Sequence, residues 1–293
     1  MKVEEIIHEV PELNHELLSF EILGGGLCNR TYKVHTKQST YVLRINSRQN
    51  EYLNLTRCSE VDVMHTINRE GFGPKVIYCH NPEKFVVTEF IEGRLLEKND
   101  LKDDHIKSMI MDRLKRIHRM DGQARICTPY DLIHGYLKGA DQFQVKYPDG
   151  LTQILNRVEK IAHERSNDKK YNNKFCHNDS FLCNMIYTKN KQLQIIDWEL
   201  SGMGDVFFEL TLIPLTNQFS EKDEREWLKL YFGYFEEDTL HIFQDMKFVS
   251  MVREVAWGLF YSGLTKGENH HDFDYYKFAE YCVQRIEQGI YQL

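Results

Sequence analysis

The sequence lacks several features that would identify whole classes of protein. Its 37 lysines and arginines face 44 aspartates and glutamates, a formal charge of -7, and they form no basic run that could follow a phosphodiester backbone. The seven cysteines never form a Cys-x-x-Cys pair, the spacing that is typical of zinc and dithiol sites. We therefore expect no nucleic-acid partner, and we expect reduced, mostly buried thiols.

Long apolar runs are also missing. No window approaches the roughly 18 apolar residues that a membrane span requires. The N-terminal stretch MKVEEIIHEVPELN alternates acids with aliphatics and lacks the basic start and unbroken apolar segment of a signal peptide. These absences predict no membrane insertion and a cytoplasmic location. The chain also contains no internal repeat and no low-complexity linker.

The composition that remains is that of an ordinary globular protein. Hydrophobic residues make up 42% and charged residues 28% of the 293 positions, a balance typical of folded domains. A chain of this length can bury an ample core in one large domain or in two lobes without disulfides or metals.

The N-terminal third has the pattern of a small antiparallel sheet. The runs FEILGGG, RTYKVHT and TYVLRIN are rich in β-branched and aromatic residues and alternate in part. Residues 59–70 have helical spacing, and the glycines and proline of 71–74 would end that helix. Two further β-like runs, VIYCH and KFVVTEFI, follow.

The rest of the chain has mainly helical periodicity, interrupted by the short strand-like pieces FCHND, NMIYT and LQIIDWE. The helical segments are 103–120, 150–165, 221–235 and 246–265. We therefore predict an α+β fold with two domains: a β-rich lobe at 1–92 that ends in a connector, and a larger helical lobe at 93–293.

The strongest chemical signal is the segment HNDSFLCN, followed by a strand-like run that ends in IIDWE. Phosphoryl transfer from ATP needs an acceptor hydroxyl held in line and a divalent metal on the phosphate oxygens. An aspartate on a catalytic loop can accept the hydroxyl proton, an asparagine five residues later can bind magnesium, and an aspartate after the next strand can bridge magnesium to the phosphates. Asp179, Asn184 and Asp197 match this order and spacing.

Each of these three residues alone would also fit a structural explanation, because aspartate and asparagine commonly cap helices and bend loops. The spacing of the whole set, in a helical lobe that follows a β lobe, favours a kinase. The pattern therefore predicts an ATP- and Mg²⁺-dependent phosphotransferase.

The N-terminal lobe contains residues suited to a nucleotide. Gly25 and Gly26 belong to a glycine turn that would let backbone amides approach phosphate closely, although such turns are also common in hairpins. Arg44 lies on the strand TYVLRIN, where kinases carry a cation that contacts phosphate, and Glu60 on the following helix can pair with it. The alternative for both charged residues is ordinary surface charge.

From about residue 20 to the C-terminus the chain resembles the choline/ethanolamine kinases, within the larger group of aminoglycoside-phosphotransferase-like kinases. The stretches that carry the resemblance are GGGLCNRTYKV, YVLRIN, EGFGPKVIY with EFIEG, and CHNDSFLCNMIY leading to IIDWELSGMGD. The resemblance implies a bilobal, protein-kinase-like fold that uses ATP and Mg²⁺ to phosphorylate a small amino alcohol. Homodimers are common among such relatives.

By this resemblance Asp179 is the catalytic base, Asn184 and Asp197 bind magnesium, and Arg44 with Glu60 positions the ATP phosphates. An arginine at position 44 resembles the choline and ethanolamine kinases in particular. The remaining nucleotide contacts that the resemblance implies come from the glycine turn and from the hinge whose backbone meets adenine: Gly25, Gly26, Asn29, Glu89, Phe90 and Ile91. Cys28 departs from the serine or threonine usual in that turn.

The segment EVAWGLFY resembles the Trp-Gly-Leu-Trp helix of the family's alcohol pocket. On a helix, Glu254, Trp257 and Tyr261 share one stripe, so a carboxylate and aromatic rings can converge. An ammonium group over an aromatic face gains about 0.5 to 2 kcal/mol per favourable contact. The resemblance implies a substrate site of Asp179, Glu199, Glu254, Trp257, Phe260, Tyr261 and Tyr276, with Tyr275 in the same aromatic stretch.

Alternatives remain open at this point. Aromatic residues at helical spacing are more often core than cage. Phe260 replaces the second tryptophan of the family helix, and Leu200 stands where many relatives have an aromatic residue. Fewer aromatic rings would weaken recognition of a trimethylammonium group, so ethanolamine remains a candidate beside choline, which is favoured. An aminoglycoside or thiamine phosphotransferase of the same fold and a catalytically inactive pseudokinase are the other candidates. His118, at the end of a predicted helix, is expected to pack or cap there.

Overall fold

A computed structural model describes the chain at residues 3–14, 17–24, 29–47, 52, 57–79, 84–120, 124–266 and 273–293. The chain forms two compact units. One comprises residues 1–96 with 184–199, and the other comprises residues 97–183 with 200–293. Within the described residues, no helix has the length and apolar character needed to cross a bilayer.

The described elements of the first unit are two short N-terminal helices, one longer helix and eight strands. In chain order they are α1 Val3–Glu9, α2 Pro11–Asn14, β1 Leu17–Ile22, β2 Arg30–Thr36, β3 Thr40–Ile45, α3 Arg57–Arg69, β4 Val76–Tyr78, β5 Phe85–Glu89, β6 Gly93–Leu95, β8 Met185–Thr188 and β9 Leu193–Ile195.

The second unit is mainly helical and contains one two-stranded sheet. Its elements are α4 Asp104–Ile117, α5 Pro129–Gln142, α6 Leu151–Arg165, β7 Asn172–Cys176, β10 Gly202–Asp205, α7 Val206–Asn217, α8 Glu221–Phe232, α9 Glu237–Leu264 and α10 Tyr275–Glu287. Short 3₁₀ turns cover Lys98–Lys102, Leu182–Asn184 and Trp198–Leu200.

An antiparallel sheet of five strands, in the order β1-β2-β3-β5-β4, is the frame of the first unit. Side chains on β2 and β3 alternate between the two faces, as a period of two requires, so Val34 and Leu43 are fully buried. Ile6 and Leu13 of the N-terminal helices pack in the same apolar cluster. This packing fixes the position of β3.

The β8–β9 hairpin brings two distant parts of the sequence together. Met185 pairs with Ile195, and the N–H of Ile196 donates to the carbonyl of Asn184 at 3.0 Å. Because neighbouring strands lie about 4.8 Å apart, the residues that flank the hairpin, Asn184 and Asp197, lie at the same end of it.

The second unit is organised around α9, which packs against α5, α7 and α10. Side-chain caps mark where its helices begin. Thr128 and Asp131 form a capping box at the start of α5, with Pro129 at the first helical position, and Ser220 and Asp223 form the same box at α8. These helix starts therefore follow from local sequence chemistry.

The predicted architecture is confirmed: an antiparallel sheet lies in the N-terminal part and helices dominate the C-terminal part. The helix predicted at 246–265 begins earlier, at Glu237, because Glu237 and Asp238 suit the positive end of the helix dipole. The domain boundary after residue 92 stays a prediction, and the 184–199 segment groups with the N-terminal strands because β8 pairs with β6. The glycine turn with Gly25 and Gly26 lies outside the described residues.

A fully buried carboxylate anchors the loop that follows β7. Glu209 on α7 accepts hydrogen bonds from the backbone N–H groups of His177 at 3.1 Å and Asn178 at 2.7 Å. Its Oε2 also lies 2.7 Å from Nε2 of His118, whose Nδ1 lies 2.7 Å from the Tyr231 hydroxyl. His118 is the C-cap residue of α4, so the expectation that it packs or caps is confirmed.

Asn178, the second anchored residue of this loop, is also held through its side chain. Asn178 has a φ of 63°, in the left-handed region that asparagine tolerates better than most residues. Its side-chain amide donates to the carbonyls of Cys127 and Leu200, both at 3.0 Å. These contacts fix the backbone that leads into Asp179.

The donor atoms of His118, Cys176 and Glu209 lie within 4.8 Å of one another, a spacing that can also hold a metal ion. Burial raises the pKa of the Cys176 thiol well above its ordinary value, and Glu209 raises it further. A cation at this position would take Glu209 away from the two backbone N–H groups that donate to it. We therefore assign this cluster to anchoring the loop.

We predict that Glu209→Ala lowers the free energy of unfolding by about 2 to 5 kcal/mol, because it leaves buried donors without an acceptor. Burial alone would raise the pKa of Glu209, but the hydrogen bond and charge of His118 and the contacts from His177 lower it. A lowered pKa means that the stabilisation is present above the unfolded-state pKa and is lost as the pH falls through the folded-state pKa.

Urea unfolding at neutral and acidic pH measures both effects, with the difference between wild type and variant shrinking in acid. Glu221→Ala, at an exposed carboxylate, is the control and should change the unfolding free energy by at most about 0.5 kcal/mol. Equal stability of Glu209→Ala and wild type at neutral pH would refute the anchor.

Candidate active site

The residues predicted to carry the chemistry fall into two groups, one in each compact unit. The first unit holds Asn29, Arg44, Glu60, Glu89, Phe90, Ile91, Asn184, Asp197 and Glu199, and the second holds Asp179, Glu254, Trp257, Phe260, Tyr261 and Tyr276.

Arg44 lies at the centre of a charge cluster in the first unit. Its Nη2 is 2.6 Å from Oε1 of Glu60, and its Nη1 is 3.2 Å from Oδ1 of Asp197. Its Nε donates to Oδ1 of Asn46 at 3.1 Å. Only 12% of the Arg44 side chain is exposed, against 35% for Asp197. The guanidinium thus joins β3, α3 and the end of the β8–β9 hairpin.

The surrounding carboxylates compensate the charge of this buried guanidinium. Burial alone would lower the pKa of Arg44, but Glu60, Asp197 and Glu199 together raise it above its ordinary value. A buried cation is stable only when it is paired in this way. The three negative partners are in turn held in defined positions.

Asn29, directly before β2, extends the same cluster. Its side-chain amide donates to Oε2 of Glu199 at 2.8 Å, and its Oδ1 accepts the N–H of Ser47 at 3.0 Å. Both Asn29 and Glu199 are buried. Glu199, which the resemblance assigns to the alcohol pocket, therefore lies with the residues assigned to the nucleotide.

Asn184 and Asp197 form an amide and carboxylate pair at the end of the hairpin. Asn184 is nearly buried, and Asp197 has a φ of 66°, in the left-handed region. Residues held in such conformations cluster at functional sites. Oxygen donors of these two kinds are the ligands that Mg²⁺ prefers, so the donor set fits that ion.

The hinge residues predicted from the resemblance lie at the end of β5 and directly after it. The N–H of Glu89 donates to the carbonyl of Lys75 at 2.9 Å, and the N–H of Phe90 donates to the carbonyl of Thr40 at 3.1 Å. No residue that the structure describes accepts a hydrogen bond from the N–H of Ile91. A backbone donor is therefore present where the hinge was predicted.

Asp179 is the first residue after the anchored loop of the second unit. Its N–H donates to Nδ1 of His177 at 3.2 Å, and its Oδ1 lies 3.4 Å from Nη1 of Arg253. The side chain is 23% exposed. Sequence reasoning did not single out Arg253, because one arginine in an apolar helical run has no diagnostic spacing.

Glu254 lies beside Arg253 on α9. Its Oε1 is 3.1 Å from Nε of Arg253, and the residue is buried. Burial raises the pKa of Glu254, and Asp179 raises it further, while Arg253 opposes the shift. The carboxyl group of Glu254 therefore lies next to the ion pair between Arg253 and Asp179.

A ring cluster surrounds Trp257, one helical turn beyond Arg253. Ring centroids lie 5.2 Å from it at Tyr261, 5.3 Å at Tyr275, 5.8 Å at Phe278 and 6.2 Å at Phe273. The rings of Tyr261 and Tyr275 stack with their centroids 5.5 Å apart and their planes inclined by 30°. The indole of Trp257 itself is only partly buried.

Phe260 and Tyr276, the other two aromatic residues of the predicted substrate site, have different surroundings. Phe260 is fully buried against Tyr136 at 5.6 Å, and its ring also contacts Tyr261 at 5.1 Å. It is Tyr275 whose ring contacts Trp257, whereas Tyr276 is partly exposed on α10. Neighbouring helical positions point about 100° apart, so the resemblance located this stretch, but the tyrosine it named for the substrate site, Tyr276, is not the one whose ring packs on Trp257.

Comparisons with a family model and with a curated protein point to the same family. The family model described as choline/ethanolamine kinase matches residues 20–288. Probable choline kinase 2 from Arabidopsis thaliana is 26% identical over 264 residues, which are 79% of this chain and 72% of that protein.

Two solved structures share the fold. The choline kinase LicA from Streptococcus pneumoniae matches with a TM-score of 0.77 at 23% identity, covering 96% of this chain and 98% of LicA. A structure of LicA in complex with AMP matches with a TM-score of 0.75 at 23% identity, covering 96% and 97%. The predicted protein-kinase-like fold is thereby confirmed. Because the family model spans most of the chain, the protein belongs to the choline/ethanolamine kinase family and is a phosphotransferase with an alcohol group as acceptor.

Proposed function

We propose that this protein transfers the γ-phosphoryl group of ATP to the hydroxyl of an amino alcohol in a magnesium-dependent reaction, with choline favoured over ethanolamine. One observation carries the acceptor assignment. Helix α9 presents Trp257 and its ring cluster one turn after the arginine that contacts Asp179. Cation recognition and the proposed base therefore belong to one rigid part of the second unit.

In the proposed reaction the first unit binds the nucleotide. The N–H of Ile91 donates to adenine, and Arg44, held by Glu60, binds phosphate oxygens. A guanidinium that is already oriented by a carboxylate loses little further freedom when phosphate arrives. Gly25, Gly26, Asn29, Glu89 and Phe90 complete the proposed nucleotide contacts.

Asn184 and Asp197 would hold the magnesium ion, since the hairpin sets both at one end. When bound, the ion neutralises charge on the phosphate oxygens. Arg44 and Asn29 keep Asp197 and Glu199 in place around that position.

Asp179 acts as the base in this proposal. As the hydroxyl oxygen of the acceptor forms its bond to the γ-phosphorus, the bond from that phosphorus to the β,γ-bridging oxygen breaks and ADP leaves, while the hydroxyl proton passes to the carboxylate of Asp179. The left-handed Asn178 and the Glu209 anchor hold the backbone of this loop, so the carboxylate does not need to be ordered during the reaction.

The partly exposed ring of Trp257, supported by the buried rings of Tyr261 and Tyr275, binds the ammonium group beside Glu254. Phe260 supports Tyr261 from the core, and Tyr276 borders the group on α10. An aminoglycoside carries several ammonium groups and needs several carboxylates, whereas Asp179 and Glu254 both already contact Arg253. The rings therefore favour a single quaternary cation.

The proposed function is tested by ATP consumption with choline, ethanolamine, thiamine, homoserine and kanamycin as acceptors. We expect the highest kcat/KM with choline, and we expect Asp179→Asn to lower kcat by about 10² to 10⁴ because the proton acceptor is lost. Nucleotide binding by that variant should be unchanged. Asp112→Asn, at an exposed carboxylate, is the matched control and should retain full activity.

Turnover with kanamycin alone would overturn the acceptor assignment. Tight ATP binding without turnover of any of the five acceptors would favour the inactive pseudokinase.

We also predict that a chelator abolishes turnover and that added Mg²⁺ restores it. Asp197→Asn should raise the Mg²⁺ concentration for half-maximal activity by at least about tenfold, because a neutral amide replaces a charged ligand. A magnesium titration of wild type and variant measures this change. Undiminished turnover of the wild type in excess chelator would refute the proposed dependence on magnesium.

Trp257→Leu is predicted to raise the KM for choline by about 2- to 30-fold, the loss of one cation–π contact. The neutral isostere 3,3-dimethylbutan-1-ol separates charge recognition from packing, and its KM should rise less. Tyr281→Leu, at an exposed ring of α10, is the control. If the KM values of choline and the isostere rose equally, the ring cluster would not be a cation site.

A further inference from the structure

Arg253 is almost completely withdrawn from water, with 3% of the residue exposed. Its guanidinium lies 5.4 Å from the ring centroid of Phe181 and 5.8 Å from that of Phe208. Arginine is almost never fully buried unless it is paired, because removing its charge from water is costly. The burial of this charged side chain therefore needs an explanation.

The partners of Arg253 are two carboxylates. Its Nη1 lies 3.4 Å from Oδ1 of Asp179, and its Nε lies 3.1 Å from Oε1 of Glu254. Its Nη2 is buried and has no hydrogen-bond partner among the residues that the structure describes. Buried ion pairs with incomplete hydrogen bonding are often no more stabilising than apolar side chains of similar size. Stability of the fold thus does not explain this arginine.

The location of the guanidinium suggests a role in the reaction. It contacts Asp179 from α9, the helix that also carries Trp257 and its ring cluster. The rings of Phe181 and Phe208 beside Arg253 limit its movement, so a carboxylate paired with it is limited as well. With both acids ionised, the set of Arg253, Asp179 and Glu254 has one net negative charge, which matches one ammonium group.

We propose that Arg253 is a positioning residue for phosphoryl transfer: its guanidinium orients the carboxylate of Asp179 and neutralises one of the two acids beside the acceptor. This inference rests on the proposed role of Asp179 as the base. In this proposal Arg253 acts through Asp179 and Glu254, the two carboxylates that it contacts.

The test compares Arg253→Met, Arg253→Lys and the double variant Arg253→Met/Glu254→Gln. Methionine has a similar length without charge, and the double variant also removes the unpaired acid that would otherwise remain. We expect kcat at saturating choline to fall about 10- to 100-fold in both methionine variants, since small misplacement of a reacting group costs up to about 10².

The expected pattern separates positioning from structural support. The KM for ATP should stay within about twofold of wild type, because the change lies at the base. The urea midpoint of the double variant should match or exceed that of wild type. Arg253→Lys should recover part of the lost kcat, since it restores the charge but not the planar fork.

Arg165→Met is the matched control. Arg165 is also buried in the second unit, with Nε 2.8 Å from Asp205 and Nη1 2.7 Å from Asp168. We expect this variant to lower the urea midpoint while the kcat per folded molecule stays unchanged.

Three results would overturn the inference: a kcat within about twofold of wild type in the double variant, an equal loss of kcat in Arg165→Met, or no recovery by lysine. Asp179→Asn is assayed in parallel. Full activity of Asp179→Asn would refute the base itself, whereas its inactivity together with an active double variant would refute only the role of Arg253.

Discussion

Charge that is buried away from water is the constraint on which this structure depends. Each unit contains charged side chains that are stable only because an opposite charge or a set of donors meets them. In the first unit Arg44 requires Glu60 and Asp197, and in the second unit Glu209 requires the backbone N–H groups of the loop before Asp179. These pairings fix the residues proposed for catalysis, because a carboxylate that compensates a buried group cannot turn away freely.

The same constraint gives α9 two functions in the proposal. An apolar helix of 28 residues organises the second unit, yet it carries Arg253 and Glu254 in its buried part and Trp257 one turn later. In that proposal one helix contacts both the ligand cation and, through Arg253, the base, which reduces the entropy lost when the acceptor binds. Residues that organise the core would therefore also define the proposed acceptor site.

Local patterns predicted the elements well where strong periodicity or a stop signal marked them. Alternation located β2 and β3, and the order of Asp179, Asn184 and Asp197 indicated kinase chemistry without coordinates. Prediction was weaker where adjacent residues are chemically alike. Two neighbouring tyrosines, Tyr275 and Tyr276, have the same local signature, and only the helix rotation distinguishes them.

The sequence by itself determined the chemistry that is available: which acids, amides and rings occur, at which spacing, and hence the kinase family. Only the tertiary structure decided their partners, since these are separated by many residues and depend on how strands and helices pack. It placed Glu199 beside Asn29, and it turned Arg253 towards Asp179. Spacing along a chain records local periodicity, whereas the pairing of buried charges is a property of the folded core.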